Sequence, residues 1–258
     1  MISLDSYAPI TLDQMEGSKL MDRVDSKYVT TLERLEDVLR LASSSYRVLY
    51  TGGLPVQTYD TLYFDTPGRE MYLMHQDGRL TRTKVRARTY INTGESFLEI
   101  KRKNNHGRTK KKRVQIPSDI FSRPFEDPAN DAFLQEKTAF RGDQLSAALN
   151  TAFKRITLVA KEGGERITID YDLHFHNYRN GGDATLGPAV IMELKRSGSI
   201  HSPMMEILSQ LRIHPLRVSK YCIGPALTDP SLKQNRFKKK IRKIQKISNA
   251  STDTPSRI

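Results

Sequence analysis

One pattern constrains this chain more than any other: short strand-like segments in which charge holds one whole face. Arg82, Lys84, Arg86 and Arg88 share one parity, with Val85 and Ala87 on the other. The pattern returns in Glu99, Lys101 and Lys103 against Leu98 and Ile100, and in Lys111, Arg113 and Gln115 against Val114 and Ile116. It recurs in Arg166, Thr168 and Asp170 against Ile167 and Ile169, and in Glu193 and Lys195 against Met192 and Leu194. Successive side chains of a strand point to opposite faces, so each segment carries one charged and one apolar face. One such strand puts its charge into water. Five or six, nearly all cationic and several holding one carboxylate, predict a closed sheet with a basic lumen. Such a lumen suits a polyanion.

At 258 residues the chain has ample length for a core. A hydrophobic fraction of 37% is low for a tightly packed enzyme and fits a protein that places charge inside. The net charge of +13 is uneven, because residues 233–258 hold nine Lys or Arg and one Asp. The body therefore carries only about +5, and the lumen argument has to stand without the tail. The single cysteine, Cys222, excludes an intramolecular disulfide and fits a reducing compartment. No signal-peptide pattern and no run of about 20 apolar residues is visible, so the expectation is a soluble cytoplasmic protein.

Residues 22–29 read as a first strand, followed by a helix with a capping-box signal at Thr30 and Glu33. Strands are expected over 56–65, 80–91, 96–103, 108–116, 152–160, 165–175 and 188–196, with hairpin turns at Asn92-Thr93-Gly94 and Glu162-Gly163-Gly164. Residues 69–76 read as a short helix, 118–150 as mostly helical after Pro128, and Ser202-Pro203 as a helix start. The fold class is thus α+β, mainly antiparallel β: an eight-stranded tunnel-like barrel with flanking helices. In the tail, Phe237, Ile241, Ile244 and Ile247 recur at helical spacing among cations, as in a membrane-surface or polyanion-binding helix; a disordered, solvated tail is the alternative.

A family resemblance rests on motifs in order. Arg86-Ala-Arg88 with Tyr90, Glu99-Ile-Lys101, and the Lys/Arg run ending at Val114 resemble the triphosphate tunnel (CYTH-like) metalloenzymes. Arg155, Arg166, Ile191-Met-Glu193-Leu-Lys195 and Ser219-Lys220-Tyr221 follow in the same sequence. The nearest branch is the polyphosphate polymerase domain of the vacuolar transporter chaperone type and its bacterial relatives, over residues 22–228. Hydrolases and cyclases of the group carry Glu-x-Glu-x-Lys on the first strand, whereas this chain reads Arg23-Val-Asp25-Ser-Lys27. The polymerase branch often has Tyr where Phe153 stands.

Charge and composition divide the chain into a domain over residues 1–230 and a basic tail over 231–258, and the resemblance implies ATP-dependent polyphosphate synthesis with Mg²⁺ or Mn²⁺. It assigns catalytic roles to Arg86, Arg88, Lys101, Arg155, Arg166 and Lys220. It assigns phosphate binding to these and to Lys27, Lys111, Arg113, Lys195 and Ser219, and the metal to Glu193. Within the run from Arg108 to Arg113, Lys111 is favoured and Arg113 shares its parity. The implied partners are ATP and polyphosphate, with an anionic membrane surface or a membrane protein at the tail and no specific nucleic acid. Peripheral placement at the inner face of a membrane would follow from such a tail.

The physics of the residues agrees. Phosphoryl transfer depends chiefly on positioning and charge neutralisation. Arg grips phosphate bidentately, and Lys acts as a point charge. A carboxylate among cations stays ionised, a poor general acid and a good ligand for a hard cation. The rivals are a metal-dependent triphosphatase on the same scaffold and a non-enzymatic polyanion- or nucleic-acid-binding protein. Glu99 reads equally as a ligand or an ion-pair partner. Tyr63, Tyr72 and Tyr90 read as packing residues, and His174 and His176 as polar surface or tunnel mouth.

Overall fold

The computed structural model describes residues 2–15, 23–198 and 201–252. Asp22, at the head of the expected first strand, and residues 253–258 of the expected tail lie outside the described residues. The elements in chain order begin with β1 (Pro9–Ile10), α1 (Leu12–Met15), β2 (Arg23–Thr31), α2 (Leu32–Ala42), β3 (Tyr46–Leu49) and β4 (Val56–Asp65). They continue with α3 (Glu70–Gln76), β5 (Arg82–Tyr90), β6 (Glu95–Lys103), β7 (Thr109–Ile116) and α4 (Pro128–Lys137). After these come β8 (Ser146–Ala160), β9 (Arg166–Asn177), β10 (Gly182–Thr185), β11 (Ala189–Ser197), α5 (Pro203–Gln210), α6 (Lys220–Thr228) and α7 (Asn235–Thr252).

The main sheet runs β2-β11-β9-β8-β4-β5-β6-β7, antiparallel throughout. Its eight strands curl but do not close, because β2 and β7 stand at opposite ends of the order without pairing. The expected closed barrel is therefore an open one. Two local reasons are visible. The free edge of β2 is met by the segment before α6, where Leu216 N–H donates to the Lys27 carbonyl at 2.7 Å and Tyr28 bridges Pro215. At the other end, β7 presents Lys110, Lys111, Lys112 and Arg113 in succession, all exposed. Charged edge strands resist further pairing.

The outer face of β2, β11, β9 and β8 packs on α2 and α5. Leu35, Val38, Leu39 and Ala42 of α2 meet Ile156, Ile167, Ile169, Met192 and Leu194, all buried. This helix is capped by Thr31, whose hydroxyl accepts from Arg34 N–H, one residue after the capping position read from the sequence. α5 starts as read, with the Ser202 hydroxyl accepting from Met205 N–H at 3.1 Å and Pro203 in the first turn. The 118–150 stretch differs from expectation: α4 ends at Lys137 and β8 already begins at Ser146. Ala147, Ala148 and Leu149 carry no β-branch, so propensity misled; pairing with β4 from Asp65–Ser146 onward decided.

One end of the concave face is filled by α6 and α7. Gly224 of α6 sits where a Cβ would stand 2.5 Å from Leu149 Cδ2 and 2.8 Å from Phe175 Cδ1, so only glycine allows this close approach. The basic tail forms α7, and its apolar stripe faces inward: Phe237 (5% exposed), Ile241 and Ile244 (2%) join the core, with Phe237 against the Tyr72 ring at 5.7 Å. The stripe read as a membrane-binding face is thus covered by the protein itself. No helix among the described residues is long and apolar enough to cross a membrane.

Candidate active site

The strand ladders gather the charged parity of every inner strand onto the concave face. Lys27 stands opposite Glu193, Glu193 opposite Thr168, and Lys195 opposite both Asp25 and Arg166. Asp170 faces Arg155 across β9 and β8, while Tyr63 faces Arg86 and Thr61 faces Arg88 across β4 and β5. Arg86 then faces Glu99, Lys84 faces Lys101, Lys101 faces Lys111, and Glu99 faces Arg113. Register by register, the inside-out alternation becomes one charged channel wall.

Three carboxylates organise the cations into groups. Glu99, 0% exposed, accepts from Arg86 Nε at 2.7 Å and from Lys111 Nζ. Asp170 takes a two-toothed grip from Arg155 at 2.5 and 2.8 Å and a third bond from Lys220. Glu193 pairs with Lys27 at 2.5 Å and Lys195 at 3.3 Å, and Lys195 also donates to Asp25 at 3.0 Å. Burial pushes each of these three acids up, but the neighbouring cations prevail and hold all three well below the usual carboxylate range. They remain ionised at neutral pH.

Arg88 and Lys101 are among the channel cations left without such a partner. Arg88 is 6% exposed; its Nε donates to Thr61 Oγ1 at 3.1 Å and its guanidinium stacks on Tyr59 at 5.0 Å. Among the described residues no carboxylate pairs with it. Burial first, and Arg86 next, lower the pKa of Arg88. Lys101 makes no salt bridge among the described residues, and burial followed by Arg86 brings its ammonium pKa down to about 6. Glu193 pulls Lys101 the other way, which puts β11 and β6 in electrostatic reach across the channel.

The remaining residues read from the sequence fall on the same wall. Arg113 lies over the Phe97 ring at 4.4 Å, and both it and Lys111 are exposed near the open seam. Arg166 shares the face of Lys195. Ser219 stands at the residue before α6, and its hydroxyl accepts from Lys84 Nζ at 2.8 Å, while Lys220 Nζ lies 4.2 Å from the centre of the Phe153 ring. Phe153 stacks flat on Tyr59 at 5.1 Å, so a phenol from β4 stands beside the position where the resembling branch often has tyrosine.

Sequence reasoning gave no site role to three contributors, although it put Lys84 and Asp170 on the charged parity. Tyr63, read as packing, lines the channel, and its hydroxyl accepts from Arg86 Nη1 at 3.1 Å. Burial raises the Tyr63 pKa, but Arg86, Lys84, Arg88 and Lys220 outweigh it and lower the phenol overall. Asp170 anchors two of the expected phosphate ligands, and Lys84 holds Ser219. The alternation Gln57, Tyr59, Thr61, Tyr63 in β4 was the available signal. His174 and His176 leave the channel altogether. A bulge in β9 opposite Phe153, with Asp172 at φ 55°, reverses the parity of β9, so Leu173 and Phe175 turn inward. The two histidines pair outside with Asp172 and Asp183, each at 2.9 Å.

Among the described residues no cluster of three or more His, Cys, Asp or Glu could cage a metal. The donor set fits a different mode. Mg²⁺ and Mn²⁺ take hard oxygen ligands, and Mg²⁺ is commonly held by one or two carboxylates plus substrate phosphates and water. Glu193 and Asp25, joined through Lys195, supply such carboxylates beside the cation-lined channel.

The chain belongs to the VTC domain family, whose sequence profile matches residues 22–228. No curated protein matches it in sequence. Solved structures with a similar course include a candidate adenylate cyclase from Vibrio parahaemolyticus (12% identity, TM-score 0.48, 80% of this chain and 99% of that one). A candidate adenylyl cyclase from Hippeastrum with dominant triphosphatase activity is similar at 14% identity and TM-score 0.49, covering 81% and 97%. A candidate adenylate cyclase from Bacillus halodurans follows at 14% and 0.48, covering 77% and 96%. Likeness at this level carries no argument about activity, and the family assignment rests on the profile match.

Proposed function

We propose that the channel binds the triphosphate of ATP and transfers its γ-phosphoryl group onto a growing polyphosphate chain. The observation that carries this reading is Arg88, a buried guanidinium without a carboxylate partner among the described residues. Burying an unpaired ion costs several kcal/mol. An anionic ligand that supplies the missing charge removes that penalty. Charge-assisted contacts to phosphate are worth about 1.5–3 kcal/mol each, so Arg86, Arg88, Lys101, Arg155, Arg166 and Lys220 together would hold a triphosphate firmly. Lys27, Lys111, Arg113, Lys195 and Ser219 extend the same surface for the rest of the chain.

In the transfer, a terminal oxygen of the phosphate chain forms a bond to the γ-phosphorus. The bond from that phosphorus to the β,γ-bridging oxygen breaks, and ADP leaves with the electron pair. The nucleophile is already an anion and needs no base. This suits a site whose buried acids are held as weak bases by Arg86, Lys111, Arg155, Lys220 and Lys27. Glu193, with Asp25, would hold a divalent ion, which supplies charge neutralisation at phosphate oxygens when bound.

Lys101 favours a second reading. If its amine, with a pKa near 6 in the free protein, stayed neutral beside a bound triphosphate, it would be a base able to activate water, which would make a triphosphatase. Incubating the protein with ATP and Mn²⁺ and resolving products on a gel for phosphate polymers separates the two. A ladder supports synthesis, and orthophosphate alone supports the hydrolase.

A further inference from the structure

Beyond the channel wall, cations continue along β5 to its first residue. Arg88, Arg86, Lys84 and Arg82 share one face, with successive members about 6.8 Å apart along the strand. Arg82 stands opposite Lys103 in the β5–β6 ladder. From there the row meets α7. The Arg236 guanidinium lies 2.2 Å from where a Cβ of Gly78 would stand, in the turn before β5. Tyr72 of α3 donates to the Lys233 carbonyl at 3.1 Å and fixes the start of α7 beside that turn.

His75 marks where the row converges. Burial first, then Lys84, Arg82, Lys103 and Lys240, push its pKa down to about 2, so the cations of three elements face one neutral imidazole. Lys240 in turn feels Arg236, Arg217 and Arg82. Two buried polar atoms at this spot, His75 Nε2 and Arg82 Nε, have no hydrogen-bond partner among the described residues. No carboxylate among the described residues pairs with Arg82, Lys84, Lys103, Arg217, Arg236 or Lys240. The channel cations are mostly bound to acids; these six, of which Lys84 also stands on the channel wall, are not. Lys233 pairs with Asp77 at 3.0 Å and belongs to the docking of α7 rather than to the row.

We propose that Arg82, Lys84, Lys103, Arg217, Arg236 and Lys240 form a second polyanion site, a basic path from the channel onto α7 that holds the distal part of a linear polyphosphate chain. The assignment rests on the reading of the channel as a polyphosphate synthase for its ligand, while the site itself rests on the unpaired cations. Its length is what distinguishes it. A tripolyphosphate fits within the channel wall, whereas a chain of tens of phosphates reaches α7.

The test measures binding of tripolyphosphate and of polyphosphate about a hundred units long to the full chain. The variant is Arg236→Gln with Lys240→Gln, and the matched control is Lys238→Gln with Lys239→Gln, two exposed positions on α7. Exposed charge contacts are worth roughly two- to fivefold each, so two together predict about a tenfold loss for the long chain. Tripolyphosphate affinity should stay within twofold, and the control should lose little for either ligand. Equal loss in variant and control, or no loss in either, overturns the path. Should the variant not fold, Arg217→Gln in the exposed segment before α6 serves, with a loss of two- to fivefold for the long chain only. A ladder from ATP with unchanged long-chain affinity refutes the path and leaves the channel reading intact. Absence of any ladder with the selective loss present refutes the synthase reading and leaves the path.

Discussion

Lys27 and Glu193 stand directly opposite in the β2–β11 ladder and close an ion pair of 2.5 Å inside the channel. This pair ties the edge strand to the sheet and keeps an ionised carboxylate at the channel surface. If Glu193 also holds the metal, Glu193→Gln keeps the shape and loses the charge. Phosphoryl transfer should fall by orders of magnitude, while metal-free triphosphate binding persists or tightens because a repulsive carboxylate has gone. A role limited to the ion pair gives another pattern: a lower melting temperature with turnover reduced only modestly. Turnover, metal-free affinity and melting temperature on one variant decide between them.

Asp170 predicts a stability effect instead. It is 3% exposed and neutralises Arg155 and Lys220 together. Asp170→Asn leaves two buried cations short of a counter-charge, a change that costs about 3–5 kcal/mol. Urea unfolding should show that loss, and saturating tripolyphosphate should recover part of it by supplying negative charge to the same cations. A variant as stable as the parent contradicts the arrangement.

Lys101 predicts proton uptake. With its pKa near 6 in the free protein, it is mostly neutral at pH 7.5. A bound triphosphate stabilises the ammonium form, so the complex carries more protons than the free protein, and affinity falls as pH rises above about 6. Calorimetry in buffers of different ionisation enthalpy should show uptake approaching one proton. The phosphate's own titration near pH 6 is common to parent and variant, so Lys101→Met isolates the lysine by abolishing the difference. Identical uptake in both proteins rules the lysine out.

Gly224→Ala should destabilise the filled end of the channel. The added methyl meets Leu149 and Phe175 in a packed contact, which costs about 1–3 kcal/mol when neighbours must shift. Thermal unfolding reads it directly, and a neutral result would mean that α6 has room to move.

Much of the channel was legible because parity is a local property: Arg86, Glu99, Lys101, Glu193 and Lys195 reach one face through unbroken two-residue alternation. Where alternation broke, parity alone pointed the wrong way: the bulge in β9 at Asp172 turns His174 and His176 outward, which agrees with reading them as polar surface rather than tunnel mouth. Closure was also beyond reach of local pattern, since it depends on Pro215 and Leu216 meeting the edge of β2. The stripe of α7 was visible as a stripe, but whether Phe237 and Ile244 meet lipid or Tyr72 is a tertiary question. Tyr63 was masked by its chemistry, because a tyrosine among β-formers reads as core until its partner Arg86 is in place.

The central claim is that the concave face, through Arg88 buried without a carboxylate partner among the described residues, takes the triphosphate. A cavity on the opposite face of the sheet offers a direct comparison. It measures about 1000 Å³ on the outer side of β5 and β6 and is lined by Arg79, Arg102, Thr138 and Phe140 among others. Arg88 and Arg102 therefore lie on neighbouring strands but on opposite faces. Tripolyphosphate affinity, measured by titration calorimetry on Arg88→Ala and Arg102→Ala in the absence of metal, decides the matter. The account predicts a tenfold to hundredfold loss for Arg88→Ala, about 1.5–3 kcal/mol, and a change within about twofold for Arg102→Ala. Undiminished affinity in a folded Arg88→Ala protein, with the loss appearing at Arg102 instead, would place the triphosphate outside the channel and contradict the account.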